Sequence, residues 1–183
     1  MSKIRKYSIE ELDRLSIDEF RRALKHPVSI VLDNIRSANN VGSFFRTCDA
    51  FRVEKIFLCG ITATPPNKEI HKTALGATDS VEWKYYNETL TLVRELKHKG
   101  YQCFAIEQAE NSTPLDALKP NHLRPPIALI FGNEVDGVDQ SVIDNCDGCI
   151  EIPQWGTKHS LNVAVSAGIV LWELLRFFQP LSE

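Results

Sequence analysis

IALIFGNEVDGVDQSVIDNCDGCIEIPQWGTKHSLN, residues 127–162, is the stretch that decides the fold. It opens on an uninterrupted apolar run, 127–131, and breaks at Gly132, the pattern of a fully buried strand. Asp139 then heads a short polar-capped helix over 139–146. A second apolar run at 149–152 predicts another strand. The stretch closes in a loop carrying Gly156, Ser160 and Asn162, which feeds a strongly apolar last helix over 161–178. Two strand ends followed by two loops, close in sequence, is where an α/β sheet places a binding site.

The same alternation fills the rest of the chain. Residues 28–32 read as a first buried strand, followed by the polar loop DNIRSANN, residues 33–40. Val41, Phe44, Phe45, Cys48 and Phe51 step by three and four, which predicts an amphipathic helix with Asn40 as its N-cap. Strands are expected over 55–59, 81–85 and 101–106, the second of them half exposed. Asn87 is expected to cap a helix that runs to 99 and stops at Gly100. Thr113-Pro114 is expected to open one helical turn. Ahead of the first strand lie a basic tail, residues 1–7, and two capping boxes, Ser8-x-x-Glu11 and Ser16-x-x-Glu19, each starting a short helix. Arg14, Arg21 and Lys25 lie opposite the stripe of Ile17, Phe20 and Leu24, either as a salt-bridge ladder with Asp18 or as a small RNA-facing patch. The reading is an α/β fold: a mostly parallel six-stranded sheet with helices on both faces over 27–183, preceded by a short helical extension over 1–26.

Composition narrows the function. A chain of 183 residues can bury a core without a metal or disulfide staple. Its five cysteines are scattered, the N-terminal residues lack the apolar centre of a signal peptide, and no run is long enough to span a membrane. A cytoplasmic protein with no membrane partner is expected. The net charge of −3 excludes a protein that coats nucleic acid by bulk charge, but not one that binds RNA through a local patch. No GxGxxG follows the first strand. Gly132 and Gly137 have the spacing of a P-loop, but Val138-Asp139 follows where Lys-Ser/Thr would be needed. Cys146-x-x-Cys149 is a lone pair, and a structural zinc needs four ligands, so no metal is expected.

What remains is a set of polar residues at predicted strand ends: Asn40, Arg46, Glu134, Ser160 and Asn162. Arg46 lies beside an apolar stripe, where an arginine either pairs with a carboxylate, Glu134 being the candidate, or faces a phosphate. Ser160 and Asn162 straddle Leu161 at a helix start, where free backbone N–H groups point at a ligand.

Three segments in order, NIRSANNVGSFFRTCDAF, LIFGNEVDGVDQ and IEIPQWGTKHSLNVAVSAGIVLWEL, closely resemble the three motifs of the SpoU/TrmH branch of the SPOUT superfamily. The resemblance covers residues 28–175. It implies an S-adenosylmethionine-dependent RNA ribose 2′-O-methyltransferase acting on tRNA or rRNA. It also implies a homodimer paired through the last helix and the first-motif helix, and a C-terminal trefoil knot, which topology rules alone would not suggest. By position it assigns Gly132, Ile152 and Leu161 to the cofactor, and Asn40, Arg46, Glu134, Ser160 and Asn162 to catalysis. Compared with longer members, no separate RNA-binding domain is expected in these residues. A catalytically idle cofactor- or RNA-binding module is the alternative, but such a module has no need of Arg46 together with Asn40 and Asn162.

Overall fold

The structure is a computed structural model that describes residues 4–8, 10–178 and 181. In chain order its elements are α1 (Ile17–Arg22), β1 (His26–Asp33), α2 (Ala38–Ala50), β2 (Val53–Cys59), α3 (Lys68–Ala74), α4 (Ala77–Ser80) and β3 (Trp83–Tyr86). Then follow α5 (Thr89–His98), β4 (Gln102–Ile106), β5 (Thr113–Pro114), β6 (Ile127–Gly132), α6 (Gln140–Ile143), β7 (Gly148–Glu151) and α7 (Val163–Leu175). Short 3-10 turns occupy Glu10–Leu12, Leu115–Ala117 and Pro120–His122.

The strands form one parallel sheet in the order β3-β2-β1-β6-β4-β7-β5. β1 and β6 lie at its centre. Every residue of β6 is buried, as the unbroken apolar run predicted. Each fully buried Ile or Leu there contributes about 1.5–3 kcal/mol. Two apolar clusters lie on opposite faces. One packs α2, α3 and α7 around Ile30, Leu32 and Leu129, with Phe44 edge-on to Phe131 at 5.2 Å. The other packs α5 and α6 around Val31, Ile130 and Ala128. Helices therefore cover both faces, as expected.

The sheet has seven strands rather than six. Thr113-Pro114 does not open a helical turn directly. It forms a two-residue edge strand on β7, and the turn follows at Leu115–Ala117. An edge is where a proline without an N–H is tolerated in a sheet. Three boundaries also move. Ser37, not Asn40, is the N-cap of α2, because its hydroxyl already accepts from the Asn40 amide. Glu88 rather than Asn87 precedes α5 and gives no side-chain cap. The last helix is shorter than its apolar run, from Val163 to Leu175, with Asn162 as its cap.

The N-terminal extension docks on this core. Ser16 and Glu19 form the predicted capping box, whereas Ser8 and Glu11 hold only a 3-10 turn. Phe20 is buried in the first cluster. The expected ladder with Asp18 does not form among the described residues. The Arg21 guanidinium donates instead to the Asp79 carbonyl, and Lys25 Nζ to the Phe20 and Ala23 carbonyls. Of the basic tail, residues 1–3 lie outside the described residues.

Parallel pairing brings the strands' carboxyl ends to one edge. Asp33 lies opposite Gly132, and Ile106 lies opposite both Phe131 and Ile150. That edge carries the loops singled out from sequence.

Candidate active site

One carboxylate joins the loops. Glu134 accepts from Asn40 Nδ2 at 2.7 Å and from the backbone amides of Arg36 at 3.1 Å and Ser37 at 3.3 Å. Those amides lead into α2, where helix geometry leaves N–H groups unsatisfied and favours a negative charge. Asn162 Nδ2 then donates to Asn40 Oδ1 at 3.1 Å, while Asn162 Oδ1 accepts from the amides of Ala164 and Val165 as the cap of α7. Asn40 is free for this bridge because Ser37 holds the cap position. The chain Asn162–Asn40–Glu134 thus ties together the turns after β1, β6 and β7.

The clasp perturbs Glu134. Partial burial raises its carboxyl pKa, but the Asn40 amide and the backbone N–H groups outweigh this and hold it below its ordinary value of 4.5.

Beneath the clasp is a cleft of about 1050 Å³. Gly132, Ile152 and Leu161 all line it, and so do Glu134, Ser160 and Asn162. Asn40 reaches it only through its partners. Gly132 is required by the loop itself. A Cβ there would meet the Gly137 carbonyl carbon at 2.0 Å and the Val138 nitrogen at 2.1 Å. The loop folds back on Gly132 through paired bonds between Asn133 and Gly137, at 3.1 and 3.0 Å.

Arg46 stands apart from this cluster. It is exposed on α2, does not line the cleft, and makes no ion pair among the described residues. It makes no ion pair with Glu134, whose carboxylate is taken by Asn40 and two backbone amides. Glu134 sits at the start of α2, and Arg46 is about 9 Å further along the helix axis than Asn40.

Sequence reasoning missed the end of β4. Glu107 accepts from the Val138 amide at 3.2 Å, and Gln108 Nε2 donates to the His159 carbonyl at 2.6 Å. Both residues line the cleft and brace its two loops. The available signal was their position directly after strand four, at the same sheet edge. Asp33, 1% exposed, was also passed over. Its carboxylate accepts from Thr89, from Asn34 Nδ2 at 2.9 Å and from the Asp139 amide at 3.1 Å, which fixes the far end of the 132–138 loop. Cys146 and Cys149 are chemically quiet. Burial is the leading cause that pushes the Cys146 thiol up to about 12 and raises that of Cys149.

A model of the SpoU rRNA Methylase family matches residues 27–172. The chain belongs to that family. SpoU relatives include a 23S rRNA guanosine-2′-O-methyltransferase of Nitrosomonas europaea, 30% identical over 96% of this chain and 64% of the relative. A tRNA (guanosine(18)-2′-O)-methyltransferase of Thermus thermophilus is 30% identical over 91% of this chain and 83% of its own. Among solved SpoU-like structures, the AdoMet-bound rRNA methyltransferase of Sinorhizobium meliloti superposes with a TM-score of 0.78 at 26% identity, over 88% of this chain and 61% of that one. The chain spans less than two thirds of the length of the first rRNA-modifying relatives it matches, at 64% and 58%.

Two outcomes follow from this geometry. Gly132→Ala forces the 132–138 loop off Gly137 and is expected to cost about 1–3 kcal/mol of stability, read by urea denaturation. Because the folded pKa of Glu134 lies below its unfolded value, its charge contributes fully above the unfolded pKa, and that contribution is lost as pH falls through the folded one. Wild type should therefore exceed Glu134→Gln in stability at pH 7, and the gap should close as denaturation is repeated at pH values falling below 4.5.

Proposed function

We propose that this SpoU protein transfers a methyl group from S-adenosylmethionine to a ribose 2′-hydroxyl of tRNA or rRNA. The observation that carries this reading is the Asn162–Asn40–Glu134 chain closing over the cleft of Gly132, Ile152 and Leu161. Relatives named for 2′-O-methylation of 23S rRNA and of tRNA support it. The residues present fit the cofactor. The cleft is large enough for a nucleoside-sized ligand, and it offers apolar faces from Ile106, Ile152 and Leu161 beside polar groups at the loop ends. When bound, the cofactor supplies an electrophilic methyl group on a sulfonium.

The chain's own residues do the rest. Orienting nucleophile and methyl group in line is worth about 7–11 kcal/mol. Ser160, exposed at the cleft, contacts the ribose, and Asn162 shapes the pocket from the cap of α7. Asn40 does not orient Arg46 directly, since both ends of its amide are engaged by Glu134 and Asn162. It holds the third-motif loop against the first-motif helix. Arg46, always charged, is no literal base. It grips the phosphate next to the target and stabilises the alkoxide developing at O2′, while the proton passes to phosphate or water.

The active form is a homodimer. Val165, Ile169 and Trp172 lie at steps of four and three along α7 and remain 52%, 39% and 65% exposed, a continuous apolar stripe that a second copy covers. The Trp172 ring lies 6.4 Å from Phe51, just past the end of α2, so the same stripe reaches both helices. The loops after β6 and β7 share one cleft with the start of α7, and a trefoil knot there rests on the family resemblance. No helix among the described residues is long and apolar enough to cross a membrane. With its cysteines free, the enzyme is suited to the reducing cytoplasm.

The test is incubation with methyl-labelled cofactor and separate tRNA and rRNA fractions from a strain lacking the protein, followed by mapping of the modified nucleotide. Arg46→Ala is expected to abolish transfer while calorimetry shows nearly unchanged cofactor affinity, and Arg46→Lys should also fail for want of a bidentate phosphate contact. Failure of the wild type to bind S-adenosylmethionine would remove the reading. Trp172→Glu is expected to give a folded, inactive monomer by light scattering; unfolding instead would make Trp172 a core residue.

A further inference from the structure

Three tryptophans occur in the chain, and one has no counterpart for its ring. Trp83 packs against the core, and Trp172 lies beside Phe51. Trp155 is 89% exposed, and among the described residues no aromatic ring or cation stacks on it. A buried tryptophan removes about 150–250 Å² of surface from water, so one held outside forgoes a large stabilisation. Fold stability gives no reason for an indole here.

Its surroundings indicate the occupant. Trp155 stands in the loop between β7 and α7, with every residue from Trp155 to Asn162 exposed. Gly156 beside it has nothing within 4 Å of where a Cβ would stand, so the loop's crest is open. The loop is nonetheless braced from below, by Gln108 Nε2 on the His159 carbonyl at 2.6 Å and by Asn162 as the cap of α7. Residues on both sides of the indole, Gln154 and His159 to Asn162, line the cleft. Trp155 therefore stands beside the mouth of the reaction site. No carboxylate occurs from Pro153 to Asn162, while Lys158 and His159 do, so the loop is locally positive on a chain of net charge −3. A flat aromatic face on a loop that has a lysine three residues on and no acid of its own matches a nucleotide better than an apolar protein surface, with carboxylates such as Glu107 and Glu134 confined to the adjoining cleft.

We propose that Trp155 is a stacking platform for an RNA base next to the methylated nucleotide, with Lys158 meeting the neighbouring phosphate. The inference rests on the reading of the protein as an RNA 2′-O-methyltransferase. A nucleotide presented to the cleft must leave its own stack, and its neighbour loses a partner when it does. The indole replaces that partner. Because every base has a π-face, this contact contributes affinity and register rather than base identity. Trp155 is a positioning residue: it holds the RNA and does not touch the reacting atoms.

The experiment compares wild type, Trp155→Ala and Trp155→Phe as full chains. Unfractionated bacterial tRNA and a 23S rRNA transcript serve as RNA probes, and S-adenosylmethionine is titrated separately. Trp155→Ala is expected to weaken binding of the methylated RNA about 5- to 100-fold, seen as a rise in KM with a smaller change in kcat and unchanged cofactor affinity. Trp155→Phe is expected to recover most of the loss. RNA should quench the intrinsic fluorescence of wild type more than that of Trp155→Phe. Unchanged RNA affinity in Trp155→Ala overturns the proposal, as does an equal loss of cofactor affinity, which would make the indole a support of the cleft. A shift to monomer on sedimentation also overturns it, because the ring would then cover a second copy of the chain. If wild type methylates neither RNA, the methyltransferase reading itself fails, and that result is separate from any behaviour of the variants.

Discussion

The Glu134 carboxylate is the contact on which the site depends. It takes one side-chain amide and two backbone amides from the start of α2, and so pins the loop after β6 onto the helix that follows β1. Through Asn40 the same contact reaches Asn162 and the start of α7. Each bond is ordinary, worth about 0.5–3 kcal/mol depending on charge. Their arrangement in series gives three loops, one of them about a hundred residues from the other two, one shared geometry. The depressed pKa of Glu134 expresses the same fact electrostatically: the folded chain binds the anion, not the acid.

A second carboxylate sits behind the first. Asp33 ends β1 directly opposite Gly132 and is almost fully buried, yet it accepts from a side-chain amide, a hydroxyl and the Asp139 backbone. Glu107 does the same work from β4 through the Val138 amide. The 132–138 loop is therefore held at three points by carboxylates on three strands or loops, while its own glycines let it fold back on itself. A loop held this way is shaped before any ligand arrives, and fixed dipoles of this kind act without a cost of reorganisation.

α7 serves both the core and the surface. Ala167, Val170, Leu171 and Leu174 are buried against the sheet, and Val165, Ile169 and Trp172 face out. One helix thus carries a buried inner stripe and an exposed apolar outer stripe, and its cap, Asn162, lines the cleft.

The sequence alone determined the alternation of strands and helices, because unbroken apolar runs and three-four spacing follow from where side chains point in strands and helices. It also determined the family, and through it the residues of the cleft: Gly132, Ile152 and Leu161 do line one cavity. The tertiary structure alone decided which polar groups meet. Asn40 and Glu134 are 94 residues apart, and Asn40 and Asn162 are 122 apart. Such pairings depend on the register of β1 against β6, which local pattern does not encode. For the same reason the sequence could offer Glu134 as a partner for Arg46, whereas the folded chain commits that carboxylate to Asn40 and two backbone amides. The roles of Glu107, Gln108 and Asp33 stayed hidden because a single polar residue at a strand end looks like any other until the neighbouring strand is placed beside it. The two-residue strand Thr113–Pro114 exists only because β7 offers it an edge. The exposure of Trp155 is likewise a property of the folded loop: in the sequence it is one more apolar residue, and only the fold shows that it stays outside the core.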